Sequence, residues 1–240
     1  MKKHWNKIVL LTATLPLLFW GCNKETESVF EVNSDAYIVR KNIDGENKSA
    51  LVFYVFANQS IASAMVTPPA NGGTPIVLER SEESSLTFQK EPAASDFKTE
   101  TPKEGSYVFE VENTEGVKIQ QTDNVEILNL GIPLITSTSF QSESFSLNVK
   151  WLEVEEADGY VVKLLNSEEK IIFLSQALSP STEEFTVSNS AGSWAEQIYS
   201  GDSVVLQVQS FKYESDAVLF DNAYNVGEIA IAEKELVWGP

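Results

Sequence analysis

Beyond residue 28, apolar residues fall into short runs in which apolar and polar positions tend to alternate. Residues 29–32, 36–40, 51–57, 62–67, 76–79, 86–89, 107–112 and 117–120 are runs of this kind. They are rich in Val, Ile, Phe, Tyr and Thr and are parted by Gly, Pro, Asn and Asp. A period of two puts one face of a strand in a core and the other in water. Short strands punctuated by turns about every ten residues predict sandwiches or barrels. No long stretch carries the helical period. One short exception is Ser193-Trp194-Ala195-Glu196, which has capping-box spacing, with Gly201 placed to stop a helix. The expected fold class is all-β.

Two regions sharpen this. Tyr107, Phe109 and Val111 alternate with Val108, Glu110 and Glu112, so that strand buries one face. Gly105-Ser106-Tyr107, leading into it, resembles the tyrosine corner of immunoglobulin-like domains, which implies a phenol bonded back across the turn. Phe109 stands where disulfide-bearing relatives carry a cysteine. Residues 92–102, polar and ending on Pro102, read as the loop before that corner. Further on, Phe145, Leu147, Val149 and Trp151 share one strand face. Ala157-Asp158-Gly159-Tyr160 and Gly201-Asp202-Ser203-Val204 then lead into two more strands. In that order the segments resemble a fibronectin type III domain over residues 133–232. Val204 replaces the corner tyrosine of that family, so no corner bond is expected there. The organisation implied is two tandem sandwiches, immunoglobulin-like over 29–127 and fibronectin type III-like over 133–236. Gly131 and Pro133 mark the joint. About 100 residues apiece suits one core each.

The first 28 residues follow another pattern. Lys2, Lys3 and Lys7 open the chain, residues 8–20 are apolar apart from Thr12, Thr14 and Pro16, and Gly21 precedes Cys22. That apolar core is too short to span a bilayer comfortably. Leu18-Phe19-Trp20-Gly21-Cys22 resembles the lipobox at which bacterial lipoproteins are cut. The resemblance implies a signal peptide over 1–21, lipid on Cys22, a membrane partner through that anchor, and a tether over 22–28. An ordinary secretory signal would place a small residue at Phe19. An uncleaved anchor sits poorly with the polar Asn23-Lys24-Glu25-Thr26-Glu27 that follows. Those five residues resemble the acid-rich export signal of Bacteroidetes surface lipoproteins, and they equally suit a solvated tether.

Charge then narrows the partners. The chain carries 35 acidic and 17 basic residues. No acid and three of the lysines precede Cys22, so the mature chain carries a formal charge of −21. Such a surface repels nucleic acid and excludes it as a partner. The sole histidine, His4, leaves with the signal, and the sole cysteine is the acylated one, so no intrachain disulfide can form. Nucleophile–histidine chemistry and His/Cys zinc sites lose their residues in the same step. The adjacent pairs Glu155/Glu156, Glu168/Glu169 and Glu183/Glu184 point to opposite faces of an extended chain and do not converge on one substrate. Asp221-Asn222-Ala223-Tyr224-Asn225-Val226-Gly227 reads as an Asx-rich turn and lacks the alternation of a calcium loop. No enzyme, metal or cofactor is expected.

Binding remains. Exposed aromatics on a sandwich can stack sugar rings, and Trp194, Tyr199 and Trp238 are the candidates. Trp194 and Ile198 lie four apart on the expected helix, a spacing that suits core packing as well. Trp238 lies beyond the last strand pattern, as a docking residue or a frayed end. Asp202-Ser203-Val204 resembles a short O-glycan acceptor and suits a turn equally. The expected function is a non-enzymatic cell-envelope lipoprotein of the outer membrane, exposed at the surface, that serves binding or adhesion to a protein or glycan. Its rivals are a glycan-binding accessory of a nutrient-uptake system and a structural spacer.

Overall fold

The computed structural model describes residues 29–69, 73–82, 84–215, 217 and 225–239. The expectations for residues 1–28, Cys22 among them, and for most of the turn at 221–227 lie outside the described residues.

In the first half, β1 (Val32–Ile43) and β2 (Glu46–Ala57) form a hairpin. Its turn, Asp44-Gly45, has φ of 57° and 82°, the two positive values that favour an Asp-Gly pair in a tight hairpin. β3 (Ile61–Thr67), β4 (Ile76–Val77), β5 (Glu79–Arg80) and β6 (Thr87–Lys90) follow, then β7 (Gly105–Asn113) and β8 (Lys118–Val125). They make two sheets, β1-β2-β6-β5 and β4-β3-β7-β8. Ile38 and Val55 from the first pack with Val66 and Phe109 from the second. The corner is present: Tyr107 is buried and its hydroxyl donates to the Lys103 carbonyl at 2.9 Å.

The second half contains β9 (Leu134–Gln141), β10 (Ser146–Leu152), β11 (Gly159–Leu165) and β12 (Ile171–Leu174). β13 (Glu184–Val187), β14 (Ser193–Trp194), β15 (Ser203–Tyr213) and β16 (Val226–Val237) complete it. Sheet β13-β10-β9 packs on β14-β12-β11-β15-β16. Leu147, Val149 and Trp151 of β10 are buried in that core, as their alternation predicts, with Phe145 partly buried against it. Val204 is buried too, and Tyr160 carries the turn bond here, its hydroxyl accepting the Val154 N–H at 2.6 Å.

The two larger sheets are one. β1 pairs with β16 in parallel, Ile38 opposite Glu228 through Lys41 opposite Ile231, making a continuous nine-stranded sheet. On the side facing the two smaller sheets, Glu228 is fully buried and pairs with Arg40 of β1. Its carboxylate also accepts the N–H groups of Leu128 (3.0 Å) and Leu130 (3.2 Å) from the joint. A buried charge is tolerated only when so partnered. The Leu128 side chain packs directly over Gly227, where an added Cβ would meet its Cδ1 at 2.8 Å.

The expected helix after Ser193 is a correction. Trp194 instead pairs with Phe173 across β14 and β12, and the Ala195 N–H donates to the Ile172 carbonyl at 3.0 Å. The edge of β12 offers these backbone groups partners, and that outweighs a short local cap.

Candidate functional site

On the outer face of the nine-stranded sheet, the β1–β16 seam forms the floor of a groove of about 420 Å³. Alternation along β1 and β16 sends Val39, Ile229 and Ile231 to this face, where they join Val52 of β2. Phe97 packs against them from segment 91–98, which is fastened to β2 by paired backbone bonds between Ser49 and Lys98 (2.8 and 3.0 Å). Tyr37 lies at the same cluster. Both halves of the chain therefore build one concavity.

A polar row crosses the floor. Gln209 Nε2 donates to Gln207 Oε1 at 2.7 Å, and Gln207 Nε2 donates to Glu233 Oε1 at 2.7 Å. Lys41 Nζ donates to the same carboxylate oxygen at 2.8 Å and stands 5.7 Å from the centre of the Phe97 ring. Lys163 of β11 is registered opposite Gln207 and also lines the groove. Burial lowers the pKa of its amine, with Glu91 opposing that shift and Lys41 adding to it. This is a floor of aliphatic carbon with amides, two lysine ammonium groups, the carboxylates of Glu91 and Glu169, and two aromatics at its sides. Its polar groups suit recognition of a neutral or mixed polar ligand by hydrogen bonds and stacking. The sequence offered no signal for it, because its residues come from six strands and two connecting segments.

A second cluster joins Asp35 of β1, Asp123 of β8 and Glu214 just after β15, with one oxygen of each within 4.8 Å of the others. Asp123 Oδ2 also accepts the Ala36 N–H at 2.6 Å. The Asp35 carboxyl is raised to about 7, first by burial and then by the Asp123 charge, while the Ala36 N–H opposes the shift. Three single oxygens fall short of the roughly six to eight that calcium takes, so water would complete any such shell. Chain separation hid this cluster from sequence reading.

The aromatic candidates separate. Trp238 is a correction: it is 1 % exposed and stacks edge-on with Phe140 at 5.3 Å and Trp194 at 5.9 Å. Its N–H donates to the Asp202 carbonyl and its own carbonyl accepts the Gly201 N–H, both at 2.8 Å, so this end of the chain is held and not frayed. Trp194 is partly buried against the same core, 4.8 Å from Phe173, with its indole N–H on the Ser188 carbonyl at 3.0 Å. Trp238 therefore offers no ring face to a ligand, whereas Trp194 also lines a surface cavity of about 520 Å³ with Phe145 and Ile198. Tyr199 alone is exposed, at 60 %. Asp202 accepts the Tyr199 N–H at 2.8 Å, the turn chemistry expected of it. Of the paired acids, Glu156 bonds Lys212, Glu168 pairs with Lys170, and Glu184 pairs with Lys150.

No family model and no curated protein sequence matches the chain. Among solved structures, it is similar to a tetra-tandem repeat in the extending region of a large adhesion protein. Identity there is 8 % and the TM-score 0.28, over 86 % of this chain and 50 % of that one. It is also similar to the BSP domain of a biofilm-associated protein, at 10 % identity and a TM-score of 0.27, over 89 % and 52 %. The chain spans about half the length of these two. Likeness at this level carries no argument about role, and the functional argument stands on the residues.

Proposed function

We propose that this protein is a non-enzymatic binding or adhesion module of the bacterial cell envelope, held at the outer membrane by lipid on Cys22. The observation that carries the reading is the seam groove: a concavity built jointly by both halves and lined by hydrogen-bonding and aromatic groups. Constitution as two units, 29–127 and 133–236, is supported by two separate apolar clusters, one on each side of the joint. The strand orders support an immunoglobulin-like first unit and a fibronectin type III-like second. Amides beside Tyr37 and Phe97 favour a glycan as the ligand over an apolar protein surface.

Beads carrying the mature chain by its N-terminus, passed over immobilised glycans and matrix proteins, test this. Retention on one class, lost in Gln209→Ala and Lys163→Glu, is the expected result. Retention that both variants keep moves the site away from the groove. No retention on any surface favours the spacer reading. Labelling with a fatty-acid probe tests the anchor, with Cys22→Ala expected to lose the label and the membrane fraction.

A further inference from the structure

β1 is the first strand of the described chain and β16 the last, and they lie side by side and parallel over four registered pairs, Ile38–Glu228 to Lys41–Ile231. Two parallel neighbours have their starts at one end and their finishes at the other. Tension applied ahead of Val32 and beyond Val237 therefore slides β1 and β16 past one another along their length. In that geometry the hydrogen bonds between them are strained together. In a hairpin such as β1–β2, pulled from its two free ends, they yield one after another. The shortest load path between the two points runs across this seam. Most of both cores belongs to the long chain segment between Lys41 and Glu228, which the seam closes off, while β1 and β16 themselves contribute Ile38 to the first core and Ala230 to the second.

We infer that the β1–β16 seam is a mechanical clamp, which lets the protein bear tension between its two ends without unfolding either sandwich. The seam is reinforced on both faces. Outside, Val39, Ile231 and Phe97 pack over it and keep water from its backbone bonds. Inside, the fully buried Glu228 binds Arg40 across the seam and takes two N–H groups from the joint, so one carboxylate ties β1, β16 and the connection together. Neighbours on both sides, β2 and β15, keep either strand from peeling away alone. The use of such a clamp by an anchored adhesion module rests on the function proposed above, but the mechanical behaviour is testable without any ligand.

Single-molecule pulling on the unacylated chain from residue 22 onward, with handles at Cys22 and after Pro240, is the experiment. The expected trace has one high-force rupture that gates everything else. After it the two halves extend at lower force, releasing in all roughly 600–700 Å of chain at about 3.5 Å per residue. A second geometry, with handles at Asp44→Cys (in Cys22→Ser) and after Pro240, loads the same unmodified seam from one end and opens it bond by bond. Its rupture force should be several-fold lower at the same pulling speed. Ile231→Ala, which thins the outer packing and keeps the Glu228 pair, should lower the force in the first geometry only. Equal forces in the two geometries would overturn the clamp, as would two separate half-length releases with no gating event. Either outcome leaves groove binding, and so the adhesion reading, untouched.

Discussion

The two apolar cores solve one problem, holding sheets together without a disulfide, with different aromatic chemistry. In the first half Phe53 packs against Tyr107 (5.6 Å between ring centres) and Phe109 (6.2 Å), and the remaining core is largely Val, Ala and Ile. Its polar lock, the Tyr107 corner, sits mid-chain at the head of β7. In the second half the rings form a layer: Phe140, Phe145 and Trp194 all meet Trp238, and Trp194 meets Phe173. Trp151 packs against Tyr160 beneath. Broad ring area stabilises the second core, and its outermost member follows the last strand directly. Loss of that end should therefore open a core, where a strand end normally only frays.

The largest expected effect breaks this layer. Trp151→Ala should destabilise the chain by about 3–5 kcal/mol, the usual cost of removing a large buried aromatic. Trp238→Ala should cost nearly as much, because it is as deeply buried and touches three rings. Denaturant melts of the whole chain compare the two. A wild-type midpoint for Trp238→Ala would reduce the ring layer to ornament and leave Trp151 as the sole anchor.

The next effect is electrostatic and belongs to the edge where the halves meet. The Asp35 carboxyl lies at about 7 in the folded chain against 3.8 for an ordinary aspartate. A carboxyl raised on folding contributes stability that is complete below its ordinary pKa and is lost as pH rises through the folded value. Stability from this group thus falls between about pH 4 and pH 7 and is flat above. Asp35→Asn removes the dependence and should stabilise the chain above pH 7 by on the order of 2–3 kcal/mol, with little change near pH 4. Melting temperatures of both proteins across that range decide it. A variant that gains equally at both ends would show that packing, not charge, limits Asp35.

Much of each sandwich was legible because its strands bury one face. The alternation of Tyr107, Phe109 and Val111, and of Leu147, Val149 and Trp151, maps directly onto the two cores. The seam was not legible for the opposite reason. Ile38 and Val39 are both buried, and so is every residue from Leu206 to Phe211, because both faces of the sheet are covered there. Burial there no longer follows the alternation of Leu206-Gln207-Val208-Gln209, whose polar positions suit a solvent face by pattern alone. Parallel pairing of the first and last strands leaves no local turn to announce it. Trp238 was misread because Gly239 and Pro240 look like a terminus, whereas its backbone bonds to Gly201 and Asp202 hold it in the core. The groove and the acid cluster draw on positions far apart in the chain, and no spacing rule reaches them.

The smallest effects separate the two turn bonds. Tyr160→Phe leaves the Val154 N–H buried without its acceptor and should cost about 1–3 kcal/mol, the penalty of an orphaned buried donor. Tyr107→Phe removes a donor from the Lys103 carbonyl at a partly buried corner, where water can take its place. About 0.5–1.5 kcal/mol is expected there, the net value of an ordinary hydrogen bond. Both substitutions keep the ring, so packing against Trp151 or Phe53 is retained and the difference isolates the hydroxyl. Paired denaturant melts measure it. If Tyr107→Phe proves the costlier change, the corner is holding more than its turn. Segment 91–98 runs on into that corner through the loop ahead of β7, so the first place to look would be the Phe97 wall of the groove.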